Sequence, residues 1–135
     1  MALHPFEEAT LRAFVASSKR DRLLTLLGSP KRRRKVLDAL NHFDDWDERV
    51  ALPVNSSEDV LALLRRAGAP PECYVISDDD ELDGRSMPLD EAVRACEEFD
   101  FASILCCIPG KLAFFYDEAM VLRNRVLLQR DMNVR

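Results

Sequence analysis

No stretch of this 135-residue chain approaches the roughly 18 consecutive apolar positions that a membrane-spanning helix requires. The opening residues, MALHPFEEATLRAF, lack a basic leader and reach acidic residues before any long apolar run, so no secretory signal is expected. Cysteine occurs four times, at Cys73, Cys96, Cys106 and Cys107, but never as the C-x2-C pairs that mark zinc sites and never at the spacing of a disulfide framework. Buried, reduced thiols in a cytoplasmic protein with no membrane partner are therefore expected. Histidine is scarce, with His4 and His42 only, and no nucleophile signature accompanies either. Internal repeats and low-complexity linkers are also missing. No motif names a reaction.

What remains is a 47% apolar chain of ordinary domain size, enough to bury a core, and a marked segregation of charge. Residues 1–40 carry nine Lys/Arg against four Asp/Glu, residues 41–100 five against seventeen, and residues 101–135 five against three. The net charge of -5 conceals this reversal of sign. It implies either two patches that satisfy each other or two surfaces for different partners.

Apolar periodicity predicts helices over 5–16 (Phe6, Leu11, Phe14, Val15) and 19–27 (Leu23, Leu24, Leu26, Leu27), the second capped by Ser18 and closed by Gly28. A third is expected from Ser29 and Pro30 through Val36, Leu37, Leu40 and Phe43. After the turn-rich DDWDERVALPVNSS, Ser56 or Ser57 should cap a fourth, with Val60, Leu61 and Leu64 on one face and Gly68 at its end. CYVIS reads as a strand, and residues 88–99 as an amphipathic helix through Leu89, Ala92, Val93, Cys96 and Phe99. SILCCI has the continuous apolar character of a strand covered on both faces, and KLAFFY and RVLLQ follow as strands. The intervening IPGK favours a type II turn, so a bulged or slightly longer connection, or strands that are not direct neighbours, is expected there. The fold class is α+β. One domain over 1–135 is expected, with 1–68 mainly helical and 73–130 running β-α-β-β-β. About four N-terminal helices would form a layer on a small mixed sheet containing one parallel β-α-β unit.

The stretch SDDDELDGRSMPLDEA, residues 77–92, is the densest acidic segment. Asp79, Glu81, Asp83, Gly84 and Asp90 fall at positions one, three, five, six and twelve of a calcium loop, whose alternating hard oxygen ligands suit Ca2+ or Mg2+. Glu at position three, Asp at twelve, Pro88 within the loop and a strand before it all depart from that pattern. Asp83-Gly84 alone makes a turn, and Asp90 and Glu91 suit a helix start. A loop this negative repels anions, so a cation or a basic partner is its natural ligand.

Opposite in charge, KRRRK (Lys31, Arg32, Arg33, Arg34, Lys35) with Lys19, Arg20 and Arg22 forms a candidate phosphate-contacting face for nucleic acid, although an overall pI of 5.1 opposes long-range attraction. His42 beside Asp44, Asp45 or Asp47 has the makings of an acid-base pair. The reading that joins most of these features is a non-enzymatic adaptor that binds a basic protein partner. Its contact surface would run through residues 44–48 and 78–91, using Asp78, Asp79, Asp80, Glu81 and Asp83, with Met87 or Trp46 as an exposed apolar anchor. A divalent-cation-dependent enzyme or regulator using Asp79, Glu81, Asp83 and Asp90 is the alternative. Nucleic-acid binding through residues 31–35 is the third.

Overall fold

The strand SILCCI organises the molecule. In the computed structural model, which describes residues 4–55, 57–98, 101–117 and 125–130, it forms β4 (Ser103–Ile108), buried on both faces as its apolar run predicts. Around it assemble β1 (Ala51–Pro53), β2 (Glu72–Ser77), β3 (Arg85–Pro88), β5 (Leu112–Tyr116) and β6 (Arg125–Gln129). The sheet order is β1-β6-β5-β4-β2-β3. Helices α1 (Pro5–Phe14), α2 (Ser17–Leu27), α3 (Arg33–Ala39), α4 (Val60–Arg66) and α5 (Leu89–Glu98) complete the described elements.

Every pairing in this sheet is antiparallel, including β2 with β4, where Ser77 faces Ser103 and Tyr74 faces Cys106. The expected mixed sheet with a parallel β-α-β unit is thus corrected, and the cause is the short strand β3. From the end of β2 the acidic loop turns the chain back along β3, so α5 starts beside the beginning of β2, with the Leu89 amide donating to the Pro71 carbonyl at 2.7 Å. The helix then returns the chain to the end of the sheet where β2 finished, and β4 runs the opposite way to β2. One extra crossing reverses the parity.

Strand alternation sends Tyr74, Ile76, Ile104, Cys106 and Phe115 to one face and Val75, Leu105, Cys107, Phe114 and Tyr116 to the other. Helices α1, α2 and α3 cover the first face; α4 and α5 cover the second. The expected single layer of four N-terminal helices is therefore divided, because α4 packs on α5 across the sheet from the other three. Burying one of these large apolar side chains contributes about 1.5–3 kcal/mol.

The connection at Ile108–Lys111 is bulged as anticipated: Gly110 takes φ +74°, the Lys111 amide donates to the Ile108 carbonyl at 2.9 Å, and the β4-β5 register shifts between Cys106 and Ile108. Helix α4 is capped by Asp59, whose carboxylate accepts from the Ala62 amide at 3.1 Å, instead of by Ser57. Ser56 and Phe99, which entered the helix expectations, lie outside the described residues. The outermost strands β1 and β3 both end in proline, Pro53 and Pro88. Among the described residues no helix is long and apolar enough to cross a membrane.

Candidate functional site

The basic and acidic segments that stand apart in sequence meet at one end of the sheet. Arg33, at the start of α3, places its guanidinium between two carboxylates. It donates from Nη1 and Nη2 to Glu7 at 2.9 and 2.8 Å, and from Nε and Nη2 to Asp83 at 2.9 Å each. Asp83 also accepts from the Ser77 amide at 3.0 Å, and Tyr74 donates its hydroxyl to Glu7 at 2.5 Å. Hydrogen bonds to Glu7 are the first cause of a guanidinium pKa held above its ordinary value, against the opposing effect of burial. The Tyr74 hydroxyl is pushed up by burial and by the Glu7 carboxylate.

Arg34 completes the join. It pairs with Asp78, Asp80 and Asp38, while Asn41 donates to Asp78 at 3.2 Å. The loop also braces itself: Asp79 accepts from the Glu81 amide at 3.0 Å, and its own amide donates to the Ser77 hydroxyl at 3.0 Å. Gly84 closes the turn at φ +78°, with its amide donating to the Val75 carbonyl at 2.8 Å. Asp78 and Asp83 are thereby turned inward, and Asp80, with its side chain 88% exposed, and Glu81 face solvent.

Glu7 is the residue of this arrangement that sequence reasoning passed over. It is 1% exposed and stands with Leu11 and Phe14 at i, i+4 and i+7, on the buried stripe of α1. A carboxylate on an apolar stripe was the available signal, since a buried charge requires a partner. His4 accepts from the Phe6 amide at 3.2 Å and stacks on Tyr74 with ring centroids 4.0 Å apart.

The calcium-loop reading does not fit this geometry. Strand β3 intervenes between the loop and Asp90, which lies at the far end of the sheet and accepts from the Glu91 amide at 2.9 Å. Asp83 is committed to Arg33. Among the described residues no group of three or more His, Cys, Asp or Glu is arranged to hold a metal ion. The set Asp79, Glu81, Asp83 and Asp90 is therefore not gathered for Ca2+ or Mg2+.

Of the candidate nucleic-acid residues, Arg33 and Arg34 are engaged with carboxylates, and Lys31, Arg32 and Lys35 are exposed. His42 pairs with none of Asp44, Asp45 or Asp47. Its amide donates to Asp117 at 2.7 Å, and its Nδ1 lies 3.4 Å from the other oxygen of that buried carboxylate. It takes φ 64° just beyond the end of α3.

Trp46 is corrected from an exposed anchor to a core residue. It is 7% exposed, with ring centroids 4.7 Å from Phe43 and 5.3 Å from Phe115. Met87 is half-buried against the α4-α5 face, away from the loop. All four cysteines are free and buried, and burial pushes the thiols of Cys73 and Cys106 up to about 12.

Helix α5 ends beside this site with Glu97 and Glu98 and has no basic residue in its last turn. Glu97 accepts from the Tyr116 hydroxyl at 2.9 Å and lies 3.5 Å from Arg125. Negative charge at a helix C-terminus opposes the macrodipole. The arrangement is thus an internally braced acidic end, with Asp80, Glu81 and Glu98 presented outward. Comparison with known proteins yields no match, whether to a family model, a curated protein or a solved structure.

Proposed function

We propose that this chain is a non-enzymatic interaction domain whose acidic end receives a basic segment of a protein partner. The observation that carries the reading is the bracing of the acidic loop. Arg33 and Arg34 hold its inner carboxylates, while Asp80, reached by Arg34 from the rim, and Glu81 face solvent. A loop fixed before binding loses little conformational entropy when the partner arrives. The outward carboxylates supply steering and discrimination by charge. Glu98 supports the same reading, because its position runs against helix stability and is best understood as serving the surface.

Four buried free thiols support residence in a reducing, cytoplasmic compartment. The nucleic-acid reading has weaker support, since Arg33 and Arg34 spend their charge within the molecule.

The test compares two variants of equal net charge: D80K/E81K at the acidic end and E72K/E91K at the opposite end of the sheet. Anisotropy of a fluorescein-labelled Lys-rich peptide is read over a salt series. Binding lost in the first variant and kept in the second is expected. Equal loss in both reduces the interaction to bulk charge and rejects the site.

A further inference from the structure

The KRRRK segment, residues 31–35, has the composition of a phosphate-contacting patch, and the acidic-end reading leaves it unused. Its members divide by what they touch. Arg33, with a side chain 24% exposed, is fixed between the buried Glu7 and the largely buried Asp83. Lys31, Arg32 and Lys35 are exposed, and among the described residues no carboxylate lies in salt-bridge range of any of them.

Arg34 stands between these cases. Its side chain is 45% exposed, and every nitrogen of its guanidinium meets a carboxylate: Nε donates to Asp38 at 3.0 Å, Nη1 to Asp80 at 2.9 Å, and Nη2 to Asp78. Two of those three carboxylates belong to the acidic loop. The same fork of donors grips a phosphate, so Asp78 and Asp80 sit where phosphate oxygens would sit. Ion pairs this exposed are weak and exchange readily with a competing anion. If Arg34 lets go, the loop is still held by Arg33 through Asp83.

We propose that the acidic loop is an autoinhibitory cover on a nucleic-acid-binding cluster. Asp78 and Asp80 occupy Arg34, and a phosphate backbone that displaces them is held by Arg34 together with Lys31, Arg32 and Lys35. A polymer of phosphates fits better than a small anion, because exposed cations precede and follow Arg34 along the segment. The chain as a whole carries a net charge of -5 and repels a polyanion, so binding depends on the cluster and on what covers it. The inference uses the loop's hold on Arg34 and not its capture of a basic segment, so it and the acidic-end reading can fail separately.

The probe is a fluorescein-labelled DNA duplex, read by anisotropy over a salt series. D78N/D80N should bind it about tenfold tighter than the parent chain, with a steeper salt dependence. Adding R34A to that variant should return binding to the parent level. E72Q/E91Q removes the same charge at the opposite end of the sheet and should leave binding unchanged. Asp78 also accepts from Asn41, so D80N alone, at an exposed position, serves as a second variant. Its thermal transition should match the parent while its affinity for the duplex rises. Three results overturn the inference: no gain in either loop variant, an equal gain in E72Q/E91Q, or a gain that survives R34A. Capture of D78N/D80N by phosphatidylserine vesicles without duplex binding also overturns it, and gives the cluster to a membrane surface.

Discussion

Tyr74 of β2 donates its hydroxyl to Glu7 of α1 across 67 positions of sequence, at 2.5 Å and in a buried setting. With Arg33 on the other side of the same carboxylate, this bond ties the sheet, the first helix and the third helix to one atom pair. Tyr74→Phe removes a single donor and leaves Glu7 still paired, so a loss of about 1–2 kcal/mol is expected in urea denaturation.

Glu7→Ala should cost considerably more, about 3–5 kcal/mol, because it strands a partly buried guanidinium. Arg33→Ala should fall in the same range. Arg34→Ala, whose side chain is 45% exposed, should lose no more than about 1 kcal/mol. Equal losses for Arg33 and Arg34 in chemical denaturation would contradict this division between brace and surface.

The acidic loop and α5 were unequally visible in the amino-acid order. Leu89, Ala92, Val93 and Cys96 repeat at helical spacing and are buried together as that spacing requires. Arg85–Pro88 has neither alternation nor apolar character, being held as a strand by its pairing with β2. A four-residue strand of this kind leaves no local signal, yet it decides the direction of everything after it. The charge segregation was legible, including the possibility that the two blocks satisfy each other. Which arginine meets which carboxylate was not, because Arg33 and Asp83 are brought together by tertiary packing across 50 positions. The placement of Asp90 was hidden for the same reason: spacing put it in the loop, and β3 carries it to the other end of the sheet.

At Gly84 the backbone stands at φ +78°, and an added Cβ would lie 3.7 Å from the Tyr74 hydroxyl oxygen, an ordinary contact. Gly84→Ala should therefore cost about 1–2 kcal/mol through conformation alone. Gly84→Asn, more tolerant of this region, should recover part of that loss in the same denaturation assay.

High pH should destabilise the fold. The thiols of Cys73 and Cys106 have an ordinary value of 9.0 and are raised to about 12 by burial. Between those values the unfolded chain releases protons that the native chain retains, so stability is full below pH 9 and declines as pH rises toward 12. Accordingly, an aromatic disulfide reagent at pH 8 should find the native thiols protonated and covered at both positions and react only as fast as the chain opens. Rapid labelling without denaturant would refute the buried placement.

Glu98→Lys tests the balance between surface and stability. Reversing the charge in the last turn of α5 should raise stability by about 0.3–1 kcal/mol by thermal denaturation while weakening capture of a basic peptide. A variant that gains stability and keeps full binding would remove Glu98 from the contact surface.

The prolines that end β1 and β3 bear on how the molecule lives among its copies. A bare strand edge is a template on which another chain can lengthen the sheet, and repeated addition makes fibres. Proline withdraws an amide from each edge, at Pro53 and at Pro88, and so interrupts such a template on both flanks. A six-stranded sheet so flanked offers another chain its side chains more readily than its backbone.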